Sequence, residues 1–379
     1  MRRHLPLTVL ALAAAVTVGL AAPATAAQRD PVRQRLDTLL HSDRAPGALA
    51  SAMDRNGNLR TYTAGVGDRD THAKVPRDGQ VRIGSVTKTF TAVVVLQLVH
   101  EGEIALDTSV ETYLPGLVRG KGIDGHEITV RQLLQHTSGL PEYEGDVTND
   151  ILERRYLSPR DALDVALGHE AVFTPGTEWG YSSTNYLVAG LLVQKVTGRP
   201  LAEEVDRRVI RRIGLRHTYF PAPGETAIRE RHPQGYRQDH ADAPPRNVTD
   251  IDPSASWAAG AMVSTNSDLN RFFSALLDGG ERLLKKDQLK EMRTTVPMED
   301  PSVPAEKRRY HAGLGIVSVK LPSCGKVAWG HSGAIPGYGT WAAATDDGRA
   351  ASVSMTLEPK SGEAVKHLEE AMEAALCGR

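Results

Sequence analysis

Ser85 and Lys88 lie three residues apart in RIGSVTKTFTAVVVLQLVHEG (82–102), where an apolar helical run begins. A serine hydroxyl is a weak nucleophile until a base takes its proton. Side chains at i and i+3 share a helix face, so Lys88 can serve Ser85 across one turn. At a helix start, free backbone N–H groups and the positive end of the dipole can also stabilise an oxyanion. The pair alone is a weak signal, because S-x-x-K arises about once or twice by chance in a chain of this size. It recurs here as Ser323-Cys324-Gly325-Lys326, between predicted strands, where no helix aligns its ends. The competing reading of Ser85 is a helix-capping serine followed by a solvated lysine.

Two further stretches offer partners. WGYSSTNYLVAGLL puts Tyr181 in a loop just before a helix, suited to projecting a phenol into a cleft. VAWGHSGAIPGYG puts His331, Ser332 and Gly333 at the end of a strand, where glycine lets a backbone approach a ligand closely. Gly330-His331-Ser332-Gly333-Ala334 also comes near a G-x-S-x-G nucleophile elbow. That elbow leads from strand into helix, with an acid and then a histidine downstream. Here Pro336 and glycines lead into another strand, and only His367 follows.

The elements that must hold these residues are legible in the pattern. RQRLDTLLHS has helical spacing, and two alternating runs flank Asn56-Gly57, a hairpin signal. From Ser85 to about Leu284 helical patterns dominate: TVRQLLQH, PRDALDVALGH, TNYLVAGLLVQKVTG, PLAEEVDRRVIRRIG and NSDLNRFFSALLDGG. Pro- and Gly-rich loops separate them, notably 221–257. Strands return in AGLGIVSVKL, KVAWGH, YGTWAAATDD and RAASVSMTL, before a helix from about Gly362 to Leu376. The expected class is α+β: an antiparallel sheet from about 28–84 and 310–379, flanked by terminal helices, with a mostly helical insertion over about 85–309. The cleft should lie where the two parts meet. No internal repeat or coiled-coil heptad is present.

The 379 residues are 24% charged and 40% hydrophobic, the composition of a soluble globular chain. Residues 1–27 place Arg2 and Arg3 before an apolar run ending in Ala24-Thr25-Ala26, a secretory signal pattern; an uncleaved anchor is the alternative. Residues 28–379 would then be exported as one unit without a membrane anchor. Losing both arginines leaves a formal charge of about −3, which does not suggest a nucleic-acid partner. Cys324 and Cys377 are the only cysteines, and in an oxidising compartment they should be bonded; two buried free thiols are the alternative.

Ser85-x-x-Lys88, Tyr181-Ser182-Ser183 and His331-Ser332-Gly333, in this order and at these intervals, resemble the motifs of the penicillin-recognising serine hydrolases. The likeness is to class C β-lactamases and the secreted actinobacterial D-alanyl-D-alanine carboxypeptidase. It spans essentially the whole exported chain and includes HTSGL (136–140), AGAMVST (259–265) and the Cys-Gly contexts at 324 and 377. The resemblance implies a β-lactamase/transpeptidase-like fold and an acyl-enzyme on Ser85. Lys88 and Tyr181 would share proton transfer, while His331, in place of the more usual lysine, supports it and holds a substrate anion. Ser332 and Gly333 would bind substrate, and the N–H groups of Ser85 and Ala334 would form the oxyanion hole. It requires no metal or organic cofactor, and implies a monomer acting on peptides (including peptidoglycan stems), β-lactams or esters.

Two positions depart from the family pattern. Ser183 stands where the family has the asparagine of Tyr-x-Asn, with Asn185 nearby as a possible substitute. Ser318 stands where the carboxypeptidase has an arginine for the peptide's terminal carboxylate, with Lys320 two residues on as a point-charge replacement. D-peptide hydrolysis is the leading expectation, with a β-lactamase or an esterase as alternatives. A non-catalytic sensing domain should have lost the nucleophile or its base, and Ser85, Lys88 and Tyr181 are all retained.

Overall fold

The computed structural model describes residues 30–147, 155–240, 243–298 and 308–378. The signal pattern of residues 1–27 lies outside the described residues. Helix α1 (Pro31–His41) starts on Asp30, whose side chain accepts the Val32 N–H, with Pro31 in the first turn. The hairpin follows as β1 (Gly47–Met53) and β2 (Leu59–Gly65), with Gly57 at φ +82° in the connecting turn. The helical part contributes α2 (Thr87–His100), α3 (Val130–Gln135), α4 (Thr184–Thr197) and α5 (Asn266–Leu277). The chain then forms β3 (Val296–Pro297), β4 (Tyr310–Ala312), β5 (Val317–Leu321), β6 (Lys326–Ile335), β7 (Tyr338–Thr345) and β8 (Ala350–Met355). It closes with α6 (Gly362–Cys377).

The strands form one eight-stranded sheet in the order β2-β1-β8-β7-β6-β5-β4-β3, with every neighbouring pair antiparallel. The two ends of the chain meet at β1–β8, so the sheet is completed only when residues far apart in sequence come together. Both sheet faces are covered, which is why β7 and β8 are buried along their whole length and do not alternate. On one face α1 and α6 pack through Leu36, Leu39, Leu368 and Met372. On the other lies α5, whose Asn266 and Asn270 amides donate to the Leu49 and Ser51 carbonyls at 2.9 Å each.

Helix α2 is buried from Thr87 to Leu98 and so shows no polar stripe, as a helix enclosed on all sides must. Each of Val93, Val94, Val95 and Leu96 has no exposed surface, and such burial contributes roughly 1.5–3 kcal/mol per side chain. Phe90 stacks on Phe272 of α5 with ring centroids 3.8 Å apart, which fixes α2 against the layer that carries the sheet. The long loop after residue 221 is anchored from within: buried Arg82 donates to the carbonyls of Thr226, Thr249 and Ile251. Cys324 and Cys377 are joined, with Cα atoms 5.7 Å apart, linking the β5–β6 turn to the end of α6.

One expected boundary moves. The His331-Ser332-Gly333 stretch lies within β6, which continues to Ile335 because β7 pairs with it as far as Tyr338 through a turn at Gly337, φ +95°. On its other edge β6 pairs with β5 only up to Gly330. The edge from His331 to Ile335 is therefore left open by β5.

Candidate active site

Ser85 sits in a single 3-10 turn, Gly84–Val86, that runs directly into α2. Neither the turn nor the helix receives a side-chain cap hydrogen bond, so Ser85 is not the cap of its helix. Lys88 is fully buried, so it is not a solvated lysine either. Its Nζ lies 3.1 Å from Ser85 Oγ, 3.0 Å from the Ala259 carbonyl and 3.4 Å from Ser183 Oγ. A neutral amine has two N–H bonds and one lone pair. Nζ donates to all three oxygens; once deprotonated, with Ala259 and Ser183 keeping its two N–H groups, it would turn its lone pair to the Ser85 hydroxyl proton. The arrangement can therefore make Ser85 nucleophilic.

The short helix Trp257–Gly260 presents the Ala259 carbonyl to Lys88, while Ala258 accepts from Thr91 one turn along α2. Ser183 is buried immediately before α4, and its N–H donates to Glu142 at 2.7 Å. The serine thus occupies the lysine-facing place expected of the family's asparagine. Asn185 does not substitute for it. Its Oδ1 accepts from Ser138 at 2.5 Å, and its Nδ2 donates to His136 Nδ1 at 3.2 Å. The helix begins at Thr184, so Asn185 lies in its first turn, where it faces Ser138 and His136.

Tyr181 is the half-exposed member, with its ring centroid 4.8 Å from Lys88 Nζ and 6.5 Å from the His331 ring. His331 is buried on β6, and its Nδ1 donates to the Ser332 carbonyl at 2.5 Å. Burial first, and then the charge of Lys88, lower its pKa to about 4. His331 is thus neutral at physiological pH, with Nε2 as an acceptor. It can support proton transfer but cannot hold an anion by charge.

Two glycines bring the Ser85 turn against the open edge of β6. Gly84 has φ +50°, and a Cβ there would stand 2.8 Å from the Ala334 nitrogen. A Cβ on Gly333 would stand 3.0 Å from the Ser85 nitrogen. Ser85 and Ala334 are thus brought together at the wall of one cavity, as two N–H groups sharing an oxyanion would need.

These residues open on a cavity of about 350 Å³ whose lining includes Ser85, Tyr181, His331, Ser332, Gly333 and Ala334. Among the described residues that line it, none is Lys or Arg. β5 contributes Val317 to the wall; Ser318 is buried and Lys320 exposed, both away from it. The point-charge replacement expected of Lys320 is thus not in place.

Sequence reasoning passed over Glu144 and gave no role to His136, and both line the cavity. Burial raises the Glu144 carboxyl pKa, while the charge of Lys88 opposes the rise. The signal for Glu144 was PEYEG (141–145), two glutamates directly after HTSGL. Glu142 holds the Ser183, Tyr143 and Glu144 amides, leaving Glu144 to face the cavity.

A family model described as Beta-lactamase matches residues 32–376. Penicillin-binding protein 4 of Amycolatopsis lactamdurans is 32% identical over 249 residues, covering 65% of this chain and 64% of that protein. Esterase EstB of Burkholderia gladioli is 35% identical over 210 residues, covering 52% of each. The chain thus spans about half to two thirds of the length of these curated relatives. The structure of a D-stereospecific amidohydrolase from Streptomyces sp. aligns with a TM-score of 0.82 at 38% identity, covering 93% of this chain and 99% of that one.

Proposed function

Since the chain belongs to the Beta-lactamase family of serine hydrolases, we propose that it cleaves amides or short peptides of D-amino acids that carry a free α-amino group, through an acyl-enzyme on Ser85. One observation carries the substrate side of this reading. The cavity beside Ser85 has Glu144 in its lining and no described Lys or Arg. A carboxylate receives an ammonium, whereas a carboxypeptidase must hold its substrate's terminal carboxylate, and a penicillin also carries one. The D-configuration is taken from the Streptomyces amidohydrolase.

In the proposed reaction Ser85 Oγ attacks the amide carbon as its proton passes to Lys88 Nζ. The oxyanion forms between the Ser85 and Ala334 N–H groups. The proton moves by way of Tyr181 to the leaving nitrogen, and the C–N bond breaks to release ammonia or an amine. Water then repeats the path in reverse, giving its proton to Lys88 and releasing the acid from Ser85. Ser332, on the open edge of β6, lies alongside the substrate backbone. Residues 1–27 are read as the export signal, which N-terminal sequencing of secreted protein would check. Among the described residues no helix is long and apolar enough to cross a membrane.

The test compares D-phenylalanine amide, its N-acetyl derivative and an acyl-D-Ala-D-Ala peptide on wild type, Ser85→Ala and Lys88→Met. The expected result is turnover of the free-amine amide by wild type alone. Preferential cleavage of the acyl-D-Ala-D-Ala peptide would restore the carboxypeptidase reading. Turnover of p-nitrophenyl esters alone would favour an esterase, as the likeness to EstB allows.

A further inference from the structure

We infer that His136 is the positioning residue for Tyr181, a clamp that sets the phenol over Lys88. The inference rests on the proton-transfer role of Tyr181 proposed above. His136 ends α3 in the left-handed region, φ +61°, which turns its ring and its carbonyl toward the 180–182 loop. The N–H of Gly180 donates to the His136 carbonyl at 2.9 Å, and the N–H of Ser182 donates to His136 Nδ1 at 3.2 Å. The residues on both sides of Tyr181 are therefore fastened to one histidine. Tyr181 itself stacks on that imidazole, with centroids 4.4 Å apart and planes 28° from parallel.

The ring is held in one tautomer. Ser138 donates to Asn185 Oδ1, which orients the amide so that Nδ2 donates to His136 Nδ1. Nδ1 thus accepts from both a backbone N–H and an amide, and in the neutral ring the proton resides on Nε2. Burial, with Lys88 and His331 as the neighbouring bases, favours that neutral form. Tyr186 completes the enclosure, with its centroid 5.4 Å from that of His136. Nε2 is buried and has no partner among the described residues. A filler side chain would leave no orphaned donor there, so packing alone does not account for an imidazole at this position. The clamp also gives Asn185 a role: it acts on Tyr181 through His136, where the family's asparagine would act on Lys88 directly.

The test uses D-phenylalanine p-nitroanilide, whose p-nitroaniline must take a proton as the C–N bond breaks, so that its release in single turnovers reports acylation of Ser85 through the step given to Tyr181. His136→Phe keeps a ring but loses the Nδ1 acceptor; His136→Asn keeps an acceptor near Nδ1 but loses the stack. Each should lower the acylation rate at least about tenfold, with KM changed little, because a phenol displaced by a fraction of an ångström transfers protons poorly. Each should also shift the pH profile of kcat/KM. Asn185→Leu, one step removed, should show a smaller loss in the same direction and serves if the His136 variants do not fold. Ser182→Ala, which removes only the hydroxyl bonded to the Pro141 carbonyl, should lower Tm without moving the profile. Folded His136 and Asn185 variants with the wild-type rate and profile, beside an impaired Tyr181→Phe, would overturn the clamp and leave the mechanism standing. A Tyr181→Phe variant with the wild-type rate would instead remove the proton-transfer role, and the clamp with it.

Discussion

Gly333 approaches Ser85 so closely that a methyl group at 333 would stand 3.0 Å from the Ser85 nitrogen and collide with the Ile83 carbonyl. The Ser85 turn and the open edge of β6 are thus fitted to each other through a missing side chain. Gly333→Ala should part them, separating the Ser85 and Ala334 N–H groups that would share the oxyanion. Acylation should fall about a hundredfold or more, the scale of losing one oxyanion donor. The overpacking should cost about 1–3 kcal/mol. Burst kinetics and thermal unfolding of the same variant measure the two effects separately.

His331 makes stability depend on pH in a definite direction. Its folded pKa, about 4, lies below the ordinary 6.5, so between these values the unfolded chain binds the proton that the folded chain refuses. Stability is fully present above about pH 6.5 and is lost as pH falls toward 4, by on the order of 3 kcal/mol for this shift. Tm should decline over that window, and His331→Gln should flatten the decline. A residual slope should remain from His136, whose pKa is lowered in the same direction.

How much of this was legible in the sequence depended on whether a residue's partners were local. The Ser85–Lys88 pair lies within one helical turn, and its spacing alone placed the two side chains together. The Asn56-Gly57 hairpin and the terminal helices were local in the same way. The meeting of β1 with β8 was legible only as two strand-rich ends around a helical middle. The direction Asn185 takes was not legible, because it depends on where α4 begins and on Ser138, 47 residues earlier. Glu144 was passed over because a glutamate in a polar loop usually faces water. Its burial follows from Glu142 and Ser183 closing around it, which no local pattern records. Lys320 fails for a related reason: strand parity sets the face a residue points to, but not whether that face borders the cavity.

Glu144→Gln should separate stability from specificity. A carboxyl whose folded pKa is raised contributes stability below its unfolded pKa, and that contribution is lost as pH rises through the folded value. The variant should therefore be more stable than wild type at neutral pH, with the difference fading in acid. The same change should raise KM for a D-amino acid amide roughly tenfold or more, the effect of losing a charge-assisted hydrogen bond of about 1.5–3 kcal/mol. KM for an N-acetylated or simple ester substrate should barely change. In wild type, KM for the free-amine substrate should fall as Glu144 ionises and rise again once the substrate's ammonium loses its proton. Equal KM changes for both substrate classes would rule out recognition of the amine by Glu144.

The Cys324–Cys377 bridge should matter to folding and not to turnover. It closes a loop of 53 residues in sequence separation, which in the chain-entropy model stabilises the folded state by about 4 kcal/mol through restriction of the unfolded chain. The bridge sits at the β5–β6 turn, while His331 lies seven residues further along β6, held by pairing with Ala342 of β7. Losing the bridge should free the turn and the last residues of α6, yet leave that pairing and the Ser85 turn in place. Cys324→Ser with Cys377→Ser should lower Tm and the denaturant midpoint markedly, while kcat and KM at moderate temperature stay within about twofold of wild type. A comparable fall in kcat would mean that the far end of β6 transmits its disorder to the site, and that the sheet is less rigid along that strand than its two-sided pairing up to Gly330 indicates.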